Sequence, residues 1–354
     1  MMKTLLFSLG IASTAFSQGA AKGPPPPPLA ECGAHGDGEI LCGTRSPEDL
    51  ELTPDGKELL VSQMVNNRGT PGDGAGITLF DPTKKTYTKI AITAEPLKDW
   101  GDSSCPGPIA DRLVPHGISL SKRAGGKMQL YVVNHGGRES IEMYELKQSA
   151  AAWGLVWHGC FVSMQAYNDV AALADGGFVA THPTALQTPG MDLFGGAPSG
   201  YVSRWIPGKG EEELPDTRRG YPNGVIVSND ARFAYYNAWT ASEVHKYDLH
   251  EKKEVAMVKL DFMPDNLTWT KKGQMLAAGV KGARGECPAG SGTPCGQVTG
   301  VAELDPAKMS VKPVFESTTR PAPISGVSVA LEVGNAIYIG SFQGDRLLKI
   351  PAKK

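Results

Sequence analysis

Six times along the chain, a short apolar run, a polar or glycine turn and a second apolar run recur as a unit. The copies read "EDLELTPDGKELLVSQ" from Glu48, "HGISLSKRAGGKMQLYVVNH" from His116, "NDVAALADGGFVATHP" from Asn168, "NGVIVSNDARFAYYNAW" from Asn223, "DNLTWTKKGQMLAAG" from Asp265 and "SGVSVALEVGNAIYIGSF" from Ser325. Three keep one internal spacing: eight residues separate Glu48 from Gly56, Asn168 from Gly176 and Asp265 from Gly273. A third run follows each unit, from "GITLFDP" at Gly76 and "IEMYELK" at Ile141 to "RLLKIPA" at Arg346, with apolar residues alternating up to an Asp, a Pro or a turn. Period-two alternation bounded by turn residues marks strands of an antiparallel meander. Recurrence at roughly 40 to 70 residues implies six small sheets, and radial repetition is how such sheets protect their edges. The expected fold is all-β, a six-bladed β-propeller with four-stranded antiparallel blades around a central channel. A β-sandwich or two separate β domains would hold the same strands but would not account for the sixfold recurrence. A strand near "GEILCG", residues 38–43, is expected to join the last blade and close the ring.

The N-terminal stretch "MMKTLLFSLGIASTAFS", residues 1–17, has one lysine, an apolar run and a small-x-small end at Ala15 and Ser17, the layout of a cleavable secretory signal. "GPPPPP" from Gly23 suits neither a helix nor a central strand, so residues 18–37 read as an extended leader and 38–354 as the propeller. No later run approaches the ~18 apolar residues of a membrane helix. The formal charge of -2 offers no case for nucleic acid or an anionic membrane. Cysteines at 32, 42, 105, 160, 287 and 295 fit an oxidising compartment, hence a secreted or periplasmic protein. The short loop between them makes Cys287 with Cys295 the first expected bridge, followed by Cys32 with Cys42 and Cys105 with Cys160. None has the spacing of a zinc site. A monomer acting on a small molecule is the expectation.

The propeller reading turns the start of each unit into a candidate site. The first strand of every blade lines the channel, so the doublets Glu48-Asp49, His116-Gly117, Asn168-Asp169, Asn223-Gly224, Asp265-Asn266 and Ser325-Gly326 converge at one mouth. Consecutive strand residues point oppositely, so each doublet serves an upper and a deeper level. So many carboxylates and amides repel and are costly to desolvate, and a bound cation relieves both costs. Oxygen donors without cysteine select a hard ion, and calcium accepts about six to eight of them in loose geometry. Any one doublet, taken alone, is an ordinary turn former.

"EDLELTPDG", "VPHGISL", "LYVVNHGG", "YNDVAAL", "PNGVIVSND", "PDNLTWT" and "GSFQGDRLLKI" together resemble the serial motifs of the paraoxonase/arylesterase family, related to the senescence-marker-protein/gluconolactonase propellers. The likeness covers every blade from about residue 40 to 350. It implies a secreted, calcium-dependent hydrolase of lactones and aryl esters with two calcium ions. Carried over residue by residue, the catalytic calcium falls to Glu48, Asn168, Asn223, Asp265 and Asn266, and a structural calcium to Asp49, Asp169 and the backbone carbonyl of Ile118. His116 and His135 match the family's histidine pair, the first as base towards water and the second holding it. A competing assignment makes a ligand carboxylate such as Asp265 the base. Asn168 or the ion would stabilise the oxyanion. His182 matches a pocket position, and Tyr221 is expected to shape the pocket beside it.

Two other functions stay open: a sugar-lactone hydrolase of the gluconolactonase kind, which a polar pocket rich in Arg and Asn would favour, and a non-catalytic propeller that uses calcium for stability and binds a partner. No "GxSxG" elbow occurs, which disfavours a serine hydrolase. Trp153, Trp157, Trp205 and Trp239 read as packing between blades. The family's disulfide joining first and last strands has no equivalent, since no cysteine follows Cys295; closure is expected to rest on strand pairing.

Overall fold

A computed structural model describes residues 29–64, 74–149, 152–281 and 298–352. The fold is a six-bladed β-propeller whose blades follow the chain in order. The first blade consists of Pro47–Leu52, Leu59–Gln63, Gly76–Asp81 and Thr86–Lys89, hydrogen-bonded in that order. The inner strands of the next five blades are Pro115–Lys122, Val170–Ala172, Pro222–Val227, Met263–Trp269 and Val327–Val333. Each inner strand packs against the next, and the sixth packs against the first, which closes the ring. All six of the third runs read from the sequence are strands at the expected places.

Closure occurs by pairing. Gly38–Cys42 lies antiparallel to Arg346–Pro351 and supplies the outer strand of the last blade, with Gly33–His35 added beyond it. The sheet thus starts at Gly33, inside the segment read as a leader. Cys32 is bridged to Cys42 at this edge, and Cys105 to Cys160 on the second blade. Cys287 and Cys295 lie outside the described residues, as do the signal and the polyproline run.

The core is divided into six layers, one between each pair of neighbouring blades. The period-two pattern explains this directly, because alternate residues of a strand face opposite sides of its sheet. In Leu59–Gln63, Leu59 and Val61 pack towards the sixth blade, while Leu60 packs towards the second. In Met275–Lys281, Met275 and Ala277 face the fourth blade, and Leu276 and Ala278 the sixth. A strand apolar on both faces is what a blade flanked on both sides requires.

The second blade departs from the repeat. Its outer strands, Ser140–Ser149 and Ala152–Val162, are 10 and 11 residues long, and Ala91–Ala94 adds to the latter in parallel. This long hairpin carries the loop at 96–113, which Cys105 ties down and which Arg138 holds by donating to the Gly107 carbonyl at 2.7 Å.

Candidate active site

Four inner strands carry a proline immediately before the doublet: Pro47, Pro115, Pro222 and Pro264. Proline has no N–H to give to a ladder. The strand register slips just after each of these prolines, as it does after Val327 in the sixth blade. Such bulges re-aim side chains next to functional sites, and here they release the doublets from regular pairing. This recurring proline is the sequence signal for the bulge, distinct from the doublet that follows it.

Blades two and four place glycine second in the doublet because the neighbouring doublet crosses there. A Cβ on Gly117 would stand 2.1 Å from Oδ1 of Asp169, and one on Gly224 would stand 2.5 Å from the Asn266 Cα. The backbone carbonyls at the mouth are held from the preceding blade. Ser62 donates to the His116 carbonyl and Thr181 to that of Asn223, each at 2.5 Å. Asn237 donates to the Asp265 carbonyl at 2.5 Å, and Ser328 to that of Glu48 at 2.6 Å.

Glu48, His116, His135, Asn168, Tyr221, Asn223 and Asp265 line one cavity of about 290 Å³ at this mouth. Asn266 stands beside it and donates to Glu48 Oε1 at 2.8 Å. Four oxygens there are buried with no hydrogen-bond partner among the described residues: Oε2 of Glu48 and Oδ1 of Asn168, Asn223 and Asn266. Buried polar atoms are rarely left so, and one unsatisfied group costs about 1–3 kcal/mol. Among the described residues, no three His, Cys, Asp or Glu side chains form a metal-holding group by themselves; amides supply the missing donors. This donor set, hard, partly anionic and unpaired, suits calcium.

Asp49, Asp169 and Ile118 lie deeper and line the opposite end of the channel, a space of about 600 Å³. Both deep carboxylates are gripped by backbone amides. Asp49 accepts from Leu50 at 2.8 Å and Ile118 at 2.7 Å, and Asp169 from Val170 and Val225, each at 2.7 Å. Each aspartate therefore stitches its blade to the next.

The acids of the two levels strain one another. Burial, then the charges of Asp49, Asp265 and Asp169, raise Glu48 well above the usual carboxylate range. Burial pushes Asp265 up to about 8 against a hydrogen bond from Asn223, and Asp49 up to about 7 against its two amide donors. Asp169 is raised well above its ordinary value by burial and then by Asp49. Among the described residues, none of Asp49, Asp169 and Asp265 forms an ion pair, and Glu48 meets only His116, at 3.6 Å. The missing counter-charge is positive.

Nδ1 of His116 lies 2.9 Å from Nε2 of His135. The other nitrogen of His135 lies 2.7 Å from Oε2 of Glu139, a residue the sequence reading did not single out. Burial, and secondarily His135, push His116 well below the usual imidazole range, so its ring is neutral at neutral pH.

His182 is set one layer back. It is buried behind Tyr167, with ring centroids 4.5 Å apart, and its Nε2 meets Ser203 at 3.0 Å and Glu211 at 3.2 Å. Tyr167 lines the cavity in its place. The reason is local: alternation puts His182 on the face of its strand shared with Phe178 and Ala180, which packs with Tyr167 towards the second blade. Tyr221 holds a left-handed backbone (φ 53°) just before Pro222, and burial, with Asp265 second, pushes its hydroxyl up to about 12. Trp153, Trp157 and Trp205 do fill layers between blades. Trp239 does not; it lies against Tyr221 at 5.4 Å on the cavity wall with Met64, Pro183 and Phe342. No arginine or lysine lines this cavity among the described residues.

A closed six-bladed propeller with acid and amide doublets gathered at one mouth beside a histidine pair is the class of protein that the fold and this cavity define. The family model described as Arylesterase matches residues 104–343, and the chain belongs to that family. Serum paraoxonase/arylesterase 1 of Homo sapiens is 23% identical over 239 residues, covering 62% of this chain and 62% of the relative. The same-named protein of Mus musculus is 23% identical over 233 residues. The match spans 62% of these relatives' length. Among solved structures, a luciferin-regenerating enzyme aligns with a TM-score of 0.51 at 13% identity, covering 88% of this chain and 93% of its own. A putative gluconolactonase aligns at 0.50 and 14%, covering 91% and 94%. At such identities the structural likenesses show the fold alone.

Proposed function

We propose that the protein is a calcium-dependent hydrolase of lipophilic lactones and aryl esters. The observation that carries this reading is a set of four buried oxygens without a hydrogen-bond partner among the described residues, on Glu48, Asn168 and Asn223 lining the cavity and on Asn266 beside it, next to a neutral His116. Glu48, Asn168, Asn223, Asp265 and Asn266 would hold one calcium ion, and Asp49, Asp169 and the Ile118 carbonyl a second, deeper one. Bound at the upper level, calcium supplies a Lewis acid for an ester carbonyl.

The remaining work falls to side chains of this chain. His116 accepts a proton at Nε2 from a water whose oxygen attacks the carbonyl carbon. When the carbon–oxygen bond to the leaving group breaks, the same ring returns the proton to the leaving oxygen. Tyr167, Tyr221, Trp239, Met64 and Phe342 form a wall that excludes bulk water and takes apolar substituents. With no arginine or lysine on that wall among the described residues, lipophilic substrates fit better than polyhydroxylated sugar lactones.

Membership in the arylesterase family supports hydrolysis, and the disulfides among the described residues support an oxidising compartment, in keeping with secretion. No helix among the described residues is long and apolar enough to cross a membrane. The test is a panel of acyl lactones, sugar lactones and aryl esters assayed with calcium, with chelator and with His116→Gln. Turnover of acyl lactones or aryl esters that chelator abolishes supports the reading; chelator-insensitive turnover, or none on any substrate, removes it.

A further inference from the structure

We propose that Glu139 is a positioning residue for this site: its carboxylate fixes the tautomer of His135 and, through it, keeps Nε2 of His116 unprotonated towards the channel mouth. The proposal rests on the hydrolytic reading above and adds to it a third member of the proton relay.

A carboxylate only accepts hydrogen bonds. Its 2.7 Å contact with Nδ1 of His135 therefore requires the hydrogen on that nitrogen. In a neutral ring the other nitrogen, Nε2, is then an acceptor. The 2.9 Å contact between Nε2 of His135 and Nδ1 of His116 must be donated by His116, which leaves the lone pair of His116 on Nε2. That nitrogen is 3.6 Å from Oε1 of Glu48, beyond a hydrogen bond, and stands ready for a water. In the reverse arrangement, bare Nδ1 of His135 would face the Glu139 carboxylate as acceptor against acceptor. His116 would then carry its hydrogen on Nε2, with no lone pair left for the water's proton.

Glu139 is placed for this by a built turn. Asn134, wholly buried, ends its strand and accepts at Oδ1 from the Val114 and Gly136 amides, each at 3.0 Å. Its Nδ2 donates to the carbonyls of Gly136 at 3.0 Å and Arg138 at 2.9 Å. Gly136 passes so near the Arg112 carbonyl that a Cβ would lie 1.6 Å from it, and Gly137 has φ +74°. The Ser163 amide then donates to the Glu139 carbonyl at 3.0 Å. Arg138, the adjacent cation, is committed to Glu142 at 2.8 Å. Among the described residues, the only ion-pair partner of Glu139 is His135.

The relay balances without releasing a proton. The water's proton goes to Nε2 of His116, and the positive charge created there is shared through His135 with the negative charge of Glu139. The same proton later leaves with the alcohol.

The experiment uses the full chain with calcium in excess and compares wild type, Glu139→Gln and Glu139→Asp. Imidazole nitrogen–proton correlation spectra report the tautomer of His116, and steady-state rates report kcat and KM. In wild type, His116 should appear as the Nδ1–H form. In Glu139→Gln a mixture with the Nε2–H form is expected, with kcat lowered about 10²-fold and KM within about twofold. Glu139→Asp, which keeps the charge, should fall between. An unchanged His116 tautomer in Glu139→Gln overturns the proposal whatever the rate does, and so does a changed tautomer with unchanged kcat. If wild type turns over no lactone or ester, the hydrolytic reading fails, while the spectra still decide whether Glu139 sets the tautomer.

Discussion

Nε2 of His116 stands 3.6 Å from Oε1 of Glu48, so a ring made less basic by burial faces a carboxyl made less acidic by burial. Neither group gains a full counter-charge from the other, and both stay available to a third party at the channel mouth. His116 is in reach of a water, while Glu48 keeps one oxygen without a hydrogen-bond partner among the described residues.

Replacing the base tests this arrangement most directly. His116→Gln should lower kcat by about 10²–10⁴-fold with little change in melting temperature, since His116 lies at the rim of a cavity and not within a packed layer. Stopped or steady-state assays on an aryl ester check it. A variant retaining most of the wild-type rate would pass the base role to Asp265.

The clustered acids make an unusual prediction about pH. Without a cation, burial pushes Asp49 up to about 7 and Asp265 up to about 8, against ~3.9 for an aspartate in the unfolded chain. Between these values the folded state holds more protons than the unfolded one, so stability falls as pH rises through the window. Below ~4 both states are protonated and the effect levels off. Melting in chelator should therefore occur at higher temperature at pH 5 than at pH 8, and excess calcium should flatten or reverse the trend. A cation-free protein that grows more stable towards pH 8 would contradict the cluster.

Asn168 separates a ligand from a packing residue. Its Oδ1 is buried with no hydrogen-bond partner among the described residues, so its removal costs the fold no described hydrogen bond at this atom. Asn168→Ala should leave the melting temperature in chelator unchanged or raised, yet weaken calcium binding about tenfold or more, equivalent to ~1.4 kcal/mol. Calorimetric titration with calcium measures the affinity, and an unchanged value excludes Asn168 as a ligand.

Gly117→Ala probes the crossing of doublets. The new Cβ would sit 2.1 Å from Oδ1 of Asp169, which is itself held by backbone amides and cannot swing aside freely. Overpacking of this kind costs about 1–3 kcal/mol. Urea unfolding should show the loss with calcium and with chelator alike; a neutral result would mean that the inner strands have more slack than the geometry indicates.

The wall opposite the histidines governs substrate choice. Trp239→Ala removes an aromatic face from the cavity, and KM for long-chain lactones and aryl esters should rise severalfold, about what one buried aromatic contact contributes, while kcat changes less than twofold. Small lactones that do not reach the wall should be unaffected. Equal losses on small and large substrates would show that Trp239 supports the site as a whole.

The likeness of six units, the doublet opening each and the strand that closes the ring were all legible in the residues, because strand alternation and turn chemistry are local and a repeat multiplies a weak signal six times. From these it followed that Glu48, Asn168, Asn223 and Asp265 would meet. The loops were another matter. Glu139 was invisible beforehand because only the buried Asn134 turn folds it back onto His135. His182 was expected in the pocket, but strand alternation turns it behind Tyr167, and Trp239, read as packing, emerges on the wall. What the sequence by itself determined was the ring and the donors at its centre. What only the tertiary structure decided was which side chains from separate blades share one cavity, because that depends on the path each connecting loop takes over its neighbours and no local periodicity encodes it.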